Sequence, residues 1–159
     1  MTFKTADLCD EHSDTLQIAE PGMDSFGGLA RFYGKISTIK CFEDNSLVRE
    51  AVGEPGEGRV LVVDAGGSRR CAMLGDMLAA KAVENGWSGV IMNGLIRDSA
   101  DIAAMDLGVK ALGTHPLKSV KKGVGERDVE VRFAGVRFVP GEFVYADEDG
   151  IVGSVEALI

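Results

Sequence analysis

The chain has 159 residues, of which 45% are apolar and 26% are charged. This composition predicts one compact domain over residues 1–159, with a sizeable core and little disorder. The formal net charge of −8 argues against direct binding of nucleic acid and against an anionic membrane surface, but it leaves a basic protein partner open.

Cysteine content and hydropathy argue against further classes of protein, namely disulfide-rich, zinc-binding, secreted and membrane proteins. The three cysteines are widely spaced and form no CxxC pair, so they predict neither a disulfide framework nor a zinc site. The N-terminal residues include acids instead of the apolar core of a signal peptide, and no segment reaches the roughly 18 continuous apolar residues of a membrane helix. We therefore expect a cytoplasmic protein.

The first third of the chain predicts a helix, a strand and a second helix. The stretch TADLCDEHSD is typical of a short helix with Thr5 as its N-cap. RFYGKISTIKCFE alternates apolar and polar residues, as a half-buried strand does. NSLVREAVGE then has helical spacing, with Asn45 or Ser46 as the cap.

The middle of the chain alternates predicted strands and helices. GRVLVVDAGG, WSGVIMNG and VKALGTHPL are short apolar runs typical of buried strands. Between them lie AMLGDMLAAKAVENG and DSADIAAMDLG, two helical patterns that end at Gly86 and Gly108. The longer one places an apolar face at Leu78, Ala79, Ala82 and Val83. This order predicts parallel strands joined by right-handed crossovers.

The last forty or so residues change character. Three runs with period two are separated by AG, PGE and DEDG, which favours antiparallel strands joined by tight turns. The predicted fold class is therefore α/β, with a mixed sheet or two sheets and antiparallel strands at the C-terminal end.

Three segments lie where the predicted parallel strands end or a helix begins: residues 64–67, 75–78 and 94–98. Ligands of open α/β sheets bind at such positions. Gly75 would let the backbone approach a bound group, and the amides of Asp76, Met77 and Leu78 would be free first-turn donors for a carboxylate. A phosphate loop is not indicated, because neither GxGxxG nor GxxxxGK[ST] is present.

The stretch IMNGLIRDSAD, residues 91–101, sets Arg97 beside Asp98 at the end of a strand. Adjacent residues diverge, so these two are poorly placed to form a simple ion pair. One interpretation is structural: Asp98 is the N-cap of a helix with Asp101 as its acidic third residue, and Asp76 favours the N-terminus of another helix. The other is that Asp98, with Asp76 or Asp101, reaches a hard divalent cation while Arg97 faces a second anionic oxygen.

The spacing of these residues resembles a known family. Asp76, twenty residues, Arg97-Asp98, two residues and Asp101 are similar to the motif of class II, metal-dependent pyruvate aldolases that cleave 4-hydroxy-4-methyl-2-oxoglutarate. The segments ADLCDEH, FGGLARFYGKISTIKCFEDNSLV, GRVLVVDAGGS and PGEFVYADEDGI also resemble the relatives called regulator of ribonuclease E activity A, so that the likeness covers nearly the whole chain.

The resemblance implies a fold, an assembly and a ligand set. The fold would be a β/β/α sandwich of the swivelling phosphohistidine-domain type, in a homotrimer or a dimer of trimers with active sites between subunits. Asp98 would ligate Mg²⁺ or Mn²⁺, Asp76 would orient a water on the metal, and Asp101 would lie behind them. Arg97 would hold the C2 oxygen of a 2-keto acid, and the amides from Gly75 to Leu78 would hold its carboxylate.

The resemblance also implies two functions. The first is aldol cleavage of 4-hydroxy-4-methyl-2-oxoglutarate, or of 4-carboxy-4-hydroxy-2-oxoadipate, to pyruvate and a second keto acid, with decarboxylation of oxaloacetate through the same pyruvate enolate. The second is a protein-binding regulator that inhibits ribonuclease E, which the acidic charge of the chain would favour.

Overall fold

A computed structural model describes residues 2–159, whose largest feature is a nine-stranded mixed sheet. The helices in this range are α1 (Thr5–His12), α2 (Ser46–Val52), α3 (Asp76–Glu84) and α4 (Ser99–Ile102). The strands are β1 (Gln17–Ile18), β2 (Asp24–Ser25), β3 (Phe32–Lys40), β4 (Val60–Asp64), β5 (Gly89–Ile96), β6 (Gly108–Thr114), β7 (Glu126–Arg127), β8 (Val131–Phe133), β9 (Val136–Phe138), β10 (Phe143–Ala146) and β11 (Ile151–Ser154).

The centre of the sheet is parallel, as predicted. β3, β4, β5 and β6 are parallel neighbours, and α2, α3 and α4 lie on the connections between them. β4 is buried along almost its whole length because an apolar cluster covers each face of the sheet. This explains why its sequence is continuously apolar instead of alternating.

The C-terminal strands are antiparallel, also as predicted. β10 pairs with β3 on one side and β11 on the other, while β8 and β9 form a separate hairpin. The structure contains four strands here instead of the expected three, because the three turns AG, PGE and DEDG separate four segments. The hairpin packs its buried Val131, Val136 and Phe138 in the cluster formed with β3, β4 and β5. The result is the expected α/β fold with a mixed sheet, in which hairpin, sheet and helices lie in successive layers.

Two helix boundaries differ from the prediction. The helix expected to end at Gly108 ends at Ile102, and Gly108 begins β6. Thr5 is the first helical residue of α1, and Lys4 is the N-cap, so the assignment of Thr5 as the cap was wrong. The physical reason is tertiary: the Thr5 amide and hydroxyl donate to the buried carboxylate of Asp147, at 2.7 and 2.6 Å. On α3, Ala79 and Ala82 are buried as expected, but Val83 is exposed and does not belong to the buried face.

Three short strands were not predicted: β1, β2 and β7. β1 pairs with β11 and β2 pairs with β6, so both lie at the ends of the sheet, and β7 pairs with β3. They are two residues long and carry no period that a sequence could reveal. Of the helices formed by residues 2–159, none has the length and apolar character needed to cross a membrane.

Candidate active site

The sheet brings the end of β5 beside the start of α3. Arg97 follows directly after β5, and its amide donates to the Leu74 carbonyl at 2.9 Å. One step earlier, the Met73 amide donates to the Leu95 carbonyl at 2.8 Å. These two hydrogen bonds align the segment that leads to Gly75 with the segment that leads to Asp98.

Asp98 has an unusual backbone and an unexpected partner. It stands at the N-cap position of α4 with φ 55° and ψ 40°, in the left-handed region that Asp tolerates better than most residues. Its side chain makes no hydrogen bond to α4; instead, Oδ2 accepts the Asp76 amide of α3 at 3.0 Å. The structural interpretation placed Asp98 correctly at the N-cap position of α4. It was wrong about the carboxylate, which caps the neighbouring helix α3 and not α4.

The contact with α3 keeps Asp98 ionised. The hydrogen bond from the Asp76 amide is the main reason that the pKa of the Asp98 carboxyl is lowered, and the Arg97 guanidinium also lowers this pKa. The Asp98 side chain is 33% exposed, so a ligand can reach it. The site therefore offers an accessible carboxylate at neutral pH.

Arg97 and Asp98 form only a loose ion pair. Arg97 Nε lies 3.9 Å from Asp98 Oδ2, which is too long for a hydrogen bond, in agreement with the expectation for adjacent residues. Gly75 lies against both side chains: a Cβ at this position would be 2.9 Å from Asp98 Oδ2 and 3.3 Å from Arg97 Nε. The Gly75 φ of −126° is open to any residue, so glycine is needed here for space.

Two of the three predicted helix donors are available to a ligand. The Asp76 amide already donates to the Asp98 carboxylate. The first hydrogen bond of the helix runs from the Ala79 amide to the Gly75 carbonyl. Within residues 2–159, the amides of Met77 and Leu78 have no acceptor, as expected for the first turn of a helix. They lie at the positive end of the α3 dipole, which favours a carboxylate.

A cleft of about 640 Å³ opens beside these groups. Gly75, Asp76, Met77, Leu78 and Arg97 line it, so the structure brings most of the sequence-predicted residues together. Asp98 does not line the cleft itself, but it contacts the Asp76 amide and lies beside Arg97, both of which do. Asp101 is exposed on α4, and within residues 2–159 its side chain has neither a hydrogen bond nor an ion pair. Residues 64–67 do not line the cleft. Asp64 Oδ1 instead accepts hydrogen bonds from the side-chain amide of Asn93 and from the Gly66 amide.

The cleft also contains residues that the sequence analysis missed. Five basic and two acidic side chains line it, although the whole chain carries a net charge of −8. The basic residues other than Arg97 come from α2, α3 and the segment before β7: Arg49, Lys81, Lys118 and Lys121. The run KSVKKG, a basic cluster in an acidic chain, was the available signal for two of them.

The carboxylates suit a cation that keeps most of its water. Asp98 is ionised, and the Asp76 side chain lies close enough to affect its pKa. No group of three or more His, Cys, Asp or Glu side chains suited to a metal exists among residues 2–159. The donors therefore fit Mg²⁺ or Mn²⁺ better than a metal that needs a complete protein cage, because these ions are often held by one or two carboxylates and water.

Comparison with known proteins identifies the family. The family model described as "RraA-like: Aldolase/RraA" matches residues 5–152. A protein from Laribacter hongkongensis, named "Putative 4-hydroxy-4-methyl-2-oxoglutarate aldolase", is 63% identical over 100% of both chains.

Two solved structures share the fold. The structure of the RNA-processing inhibitor RraA from Thermus thermophilis has a TM-score of 0.96 and 43% identity, and covers 100% of this chain and 96% of that one. A Geobacillus kaustophilus protein, named S-adenosylmethionine: 2-dimethylmenaquinone methyltransferase, also has a TM-score of 0.96, with 55% identity over 98% of this chain and 97% of that one. The chain described here belongs to the RraA-like family.

Proposed function

We propose that this chain is a divalent-metal-dependent class II aldolase. It cleaves 4-hydroxy-4-methyl-2-oxoglutarate, or 4-carboxy-4-hydroxy-2-oxoadipate, to pyruvate and a second keto acid, and it decarboxylates oxaloacetate through the same enolate. The observation that carries the proposal is the Asp98 carboxylate, held ionised at the start of α3 beside Arg97. The name of the Laribacter relative agrees with the proposed activity.

In this proposal, different residues of the site bind the cation, the substrate carboxylate and the C2 oxygen. Asp98 would hold the cation, with Asp76 beside it, and a bound Mg²⁺ or Mn²⁺ would supply Lewis-acid polarisation of the keto acid. The amides of Met77 and Leu78 donate to the substrate carboxylate at the positive end of α3. The Arg97 guanidinium faces the C2 oxygen, where it offers N–H donors and a fixed positive charge.

The proposed reaction is a retro-aldol cleavage. The C4 hydroxyl loses its proton to solvent water, and its oxygen forms the C4–O double bond of the second keto acid. The C3–C4 bond breaks at the same time, its electron pair forms the C2–C3 double bond of an enolate, and the π pair of the C2 carbonyl moves to the C2 oxygen. Negative charge then develops on the C2 oxygen, where Arg97 stabilises it. Protonation of C3 gives pyruvate. For oxaloacetate the same bond breaks, and carbon dioxide departs in place of the second keto acid.

Methyl transfer, the activity in the name of the Geobacillus relative, has less support here. The turn after β4 reads DAGGSRR and does not contain the GxGxxG pattern of nucleotide-binding α/β folds. In addition, the charged groups of the cleft suit a small anion better than a large cofactor that carries a sulfonium cation.

The test is pyruvate release from both substrates with Mg²⁺, with Mn²⁺ and with a chelator. We expect chelator-sensitive release, and we expect Asp98→Asn to abolish it while the fold is retained, because the amide is a poor ligand for a hard cation. Asp106→Asn, an exposed change just beyond α4, is the control. Undiminished metal-dependent activity in Asp98→Asn would exclude Asp98 as the ligand.

We also propose a homotrimer, alone or as a dimer of trimers, with the cleft near a subunit boundary. Exposed apolar side chains at the cleft and on the segment that carries Lys118 and Lys121 support this: Met77, Leu117, Val120 and Val124. Met77 is 81% exposed, which is unusual for a long apolar side chain beside a binding site. Light scattering would measure the mass in solution, and a monomer would contradict the proposal.

A second candidate function is inhibition of ribonuclease E by direct binding. The net charge of −8, which suits a basic and disordered partner segment, and the name of the Thermus relative favour it. Binding to ribonuclease E fragments at low salt is the measurement, because charge attraction is least screened there. Absence of binding at low salt would eliminate this candidate.

A further inference from the structure

Outside the proposed metal site, the structure buries the carboxylate of Asp44, a residue that is only 3% exposed. Its Oδ1 accepts the Ser46 amide at 2.9 Å and the Ser46 hydroxyl at 2.6 Å. Its Oδ2 accepts the amides of Lys122 and Val124 at 2.9 and 3.0 Å. One oxygen therefore holds the start of α2, and the other holds a segment nearly eighty residues further along the chain.

The residues next to Asp44 bind the same segment. The Ser46 hydroxyl accepts the Gly123 amide at 3.1 Å, and the buried Ser119 hydroxyl accepts the Asn45 amide at 3.2 Å. Residues 44–46 thus contact residues 119–124 through four hydrogen bonds. The segment, here called the 118–124 loop, lies between the β-bridge at Lys118 and β7 and contains no helix or strand.

The 118–124 loop forms one wall of the cleft. Lys118 and Lys121 line the cleft, on either side of the buried Ser119. Asn45 also lines it, and its side-chain amide donates to the Met73 carbonyl at 3.2 Å. Residues 44–46 therefore connect the wall that carries the lysines to the segment that leads to Gly75.

The chemistry of Asp44 suits this task. Burial alone would raise the pKa of its carboxyl, but the hydrogen bonds from Ser46, Val124 and Lys122 outweigh burial and lower it well below the usual range. The group is an anion that can only accept, and it faces backbone amides that can only donate. An asparagine would turn an N–H group toward either the loop amides or Ser46, so one side of the contact would be lost.

We infer that Asp44 is a positioning residue that holds the 118–124 loop so that Lys118 and Lys121 direct their positive charge at an anionic keto acid in the cleft. This inference rests on the proposed function. Because the chain is strongly acidic overall, two lysines at the cleft make a large difference to the local charge met by an anion.

The experiment compares Asp44→Asn with Asp147→Asn. Asp147 is a matched control, because it is equally buried at 3% and accepts several hydrogen bonds, but its partners are Thr5 and Asp149 and not the 118–124 loop. Hydrogen–deuterium exchange should show faster exchange in the 118–124 loop for Asp44→Asn only. For oxaloacetate, KM should rise about tenfold in Asp44→Asn, as expected for two displaced and partly exposed cations, while kcat changes less than about threefold.

A double-mutant cycle separates positioning from general damage. In a Lys118→Ala/Lys121→Ala background, Asp44→Asn should raise KM no further, because the side chains through which it acts are absent. If Asp44→Asn does not fold, Ser119→Ala removes one anchor of the same loop and should shift exchange and KM in the same direction by a smaller factor.

Two results would overturn the assignment of Asp44, provided that the wild-type protein is active. One is unchanged hydrogen–deuterium exchange in the 118–124 loop of Asp44→Asn, and the other is a KM increase that persists in the Lys118→Ala/Lys121→Ala background. Wild-type protein that releases no pyruvate would instead overturn the proposed function, and with it the substrate role of the loop. The two failures are therefore distinguishable.

Discussion

At the scale of single residues, the site depends on three neighbours that occupy one small space. Asp98 adopts a left-handed backbone, which turns its carboxylate back to the start of α3. Gly75 leaves room for that carboxylate and for the Arg97 side chain. Left-handed non-glycine residues are uncommon and often mark functional sites, which agrees with the role proposed for Asp98.

Replacing Arg97 tests the stabilisation of the enolate. We expect Arg97→Ala to lower kcat by about 10²-fold or more, the usual cost of removing one oxyanion donor. The side chain is 39% exposed and makes only a loose ion pair, so thermal unfolding should change little. Steady-state kinetics with oxaloacetate provide the measurement. An unchanged kcat would mean that the guanidinium does not face the reacting oxygen.

Adding one methyl group at Gly75 tests whether the Asp98 and Arg97 side chains need the space that this glycine leaves. Gly75→Ala would place a Cβ 2.9 Å from Asp98 Oδ2 and 3.3 Å from Arg97 Nε, and both side chains must move. We expect kcat/KM to fall on the order of 10- to 100-fold, because displacements of about 1 Å can have effects of this size. Gly150→Ala is the matched control, since nothing lies within 4 Å of its added Cβ. Equal kinetics for the two variants would contradict the proposed geometry.

At the scale of secondary-structure elements, α1 shows how a short helix is held in place. It has eight residues, of which Thr5 and Leu8 are buried, so it has little apolar area of its own to bury. Both hydrogen bonds from Thr5 end on Asp147, in the turn between β10 and β11. Isolated helices of this length are marginal in water, and α1 therefore depends on this contact.

The contact should make stability depend on pH in a defined direction. Burial alone would raise the pKa of Asp147, but hydrogen bonds from Thr5 and from backbone amides outweigh it and lower that pKa in the folded protein. The contribution to the free energy of unfolding is then complete above the ordinary Asp pKa of about 4 and is lost as pH falls through the lower folded value.

Urea unfolding of wild type and Asp147→Asn at neutral pH and at acidic pH would measure this. At neutral pH we expect the variant to be less stable by about 1–3 kcal/mol, the cost of leaving buried donors without their acceptor. This difference should shrink as pH falls below about 4. A difference that stays constant with pH would show that the ionised carboxylate is not its source.

At the scale of the whole molecule, the distribution of charge separates the cleft from the rest of the chain. Acidic residues outnumber basic ones by 25 to 17, but the cleft has five basic and two acidic side chains. The local excess of positive charge attracts a small anion, while the remaining surface repels it. The interior of the sheet contributes little to this pattern, because most of its buried side chains are apolar.

Salt should weaken this attraction. As ionic strength rises from about 0.01 M to about 1 M, the Debye length falls from about 30 Å to about 3 Å, and we expect kcat/KM for oxaloacetate to decrease several-fold. Lys118→Ala/Lys121→Ala should show a smaller decrease. A rate that increases with salt would mean that the negative charge of the whole chain dominates the approach of the substrate.

Much of the fold could be predicted from periodicity. The continuous apolar runs of β4 and β5 and the alternation in β9 arise because side chains must match the faces that they bury. Boundaries that depend on a distant partner could not be predicted. Thr5 looked like a cap because its hydroxyl suits one, but the carboxylate of Asp147 is the group that it binds.

The sequence by itself determined the α/β class, the parallel centre, the antiparallel end and the placement of Gly75, Asp76, Arg97 and Asp98 at element ends, because periodicity and turn residues are local properties. Only the tertiary structure decided that Asp98 caps α3, that Asp101 stands apart, and that Asp44 holds the 118–124 loop. These contacts join residues 22 to 80 positions apart. Which distant groups meet depends on strand order and register, and no local pattern in the chain encodes either one.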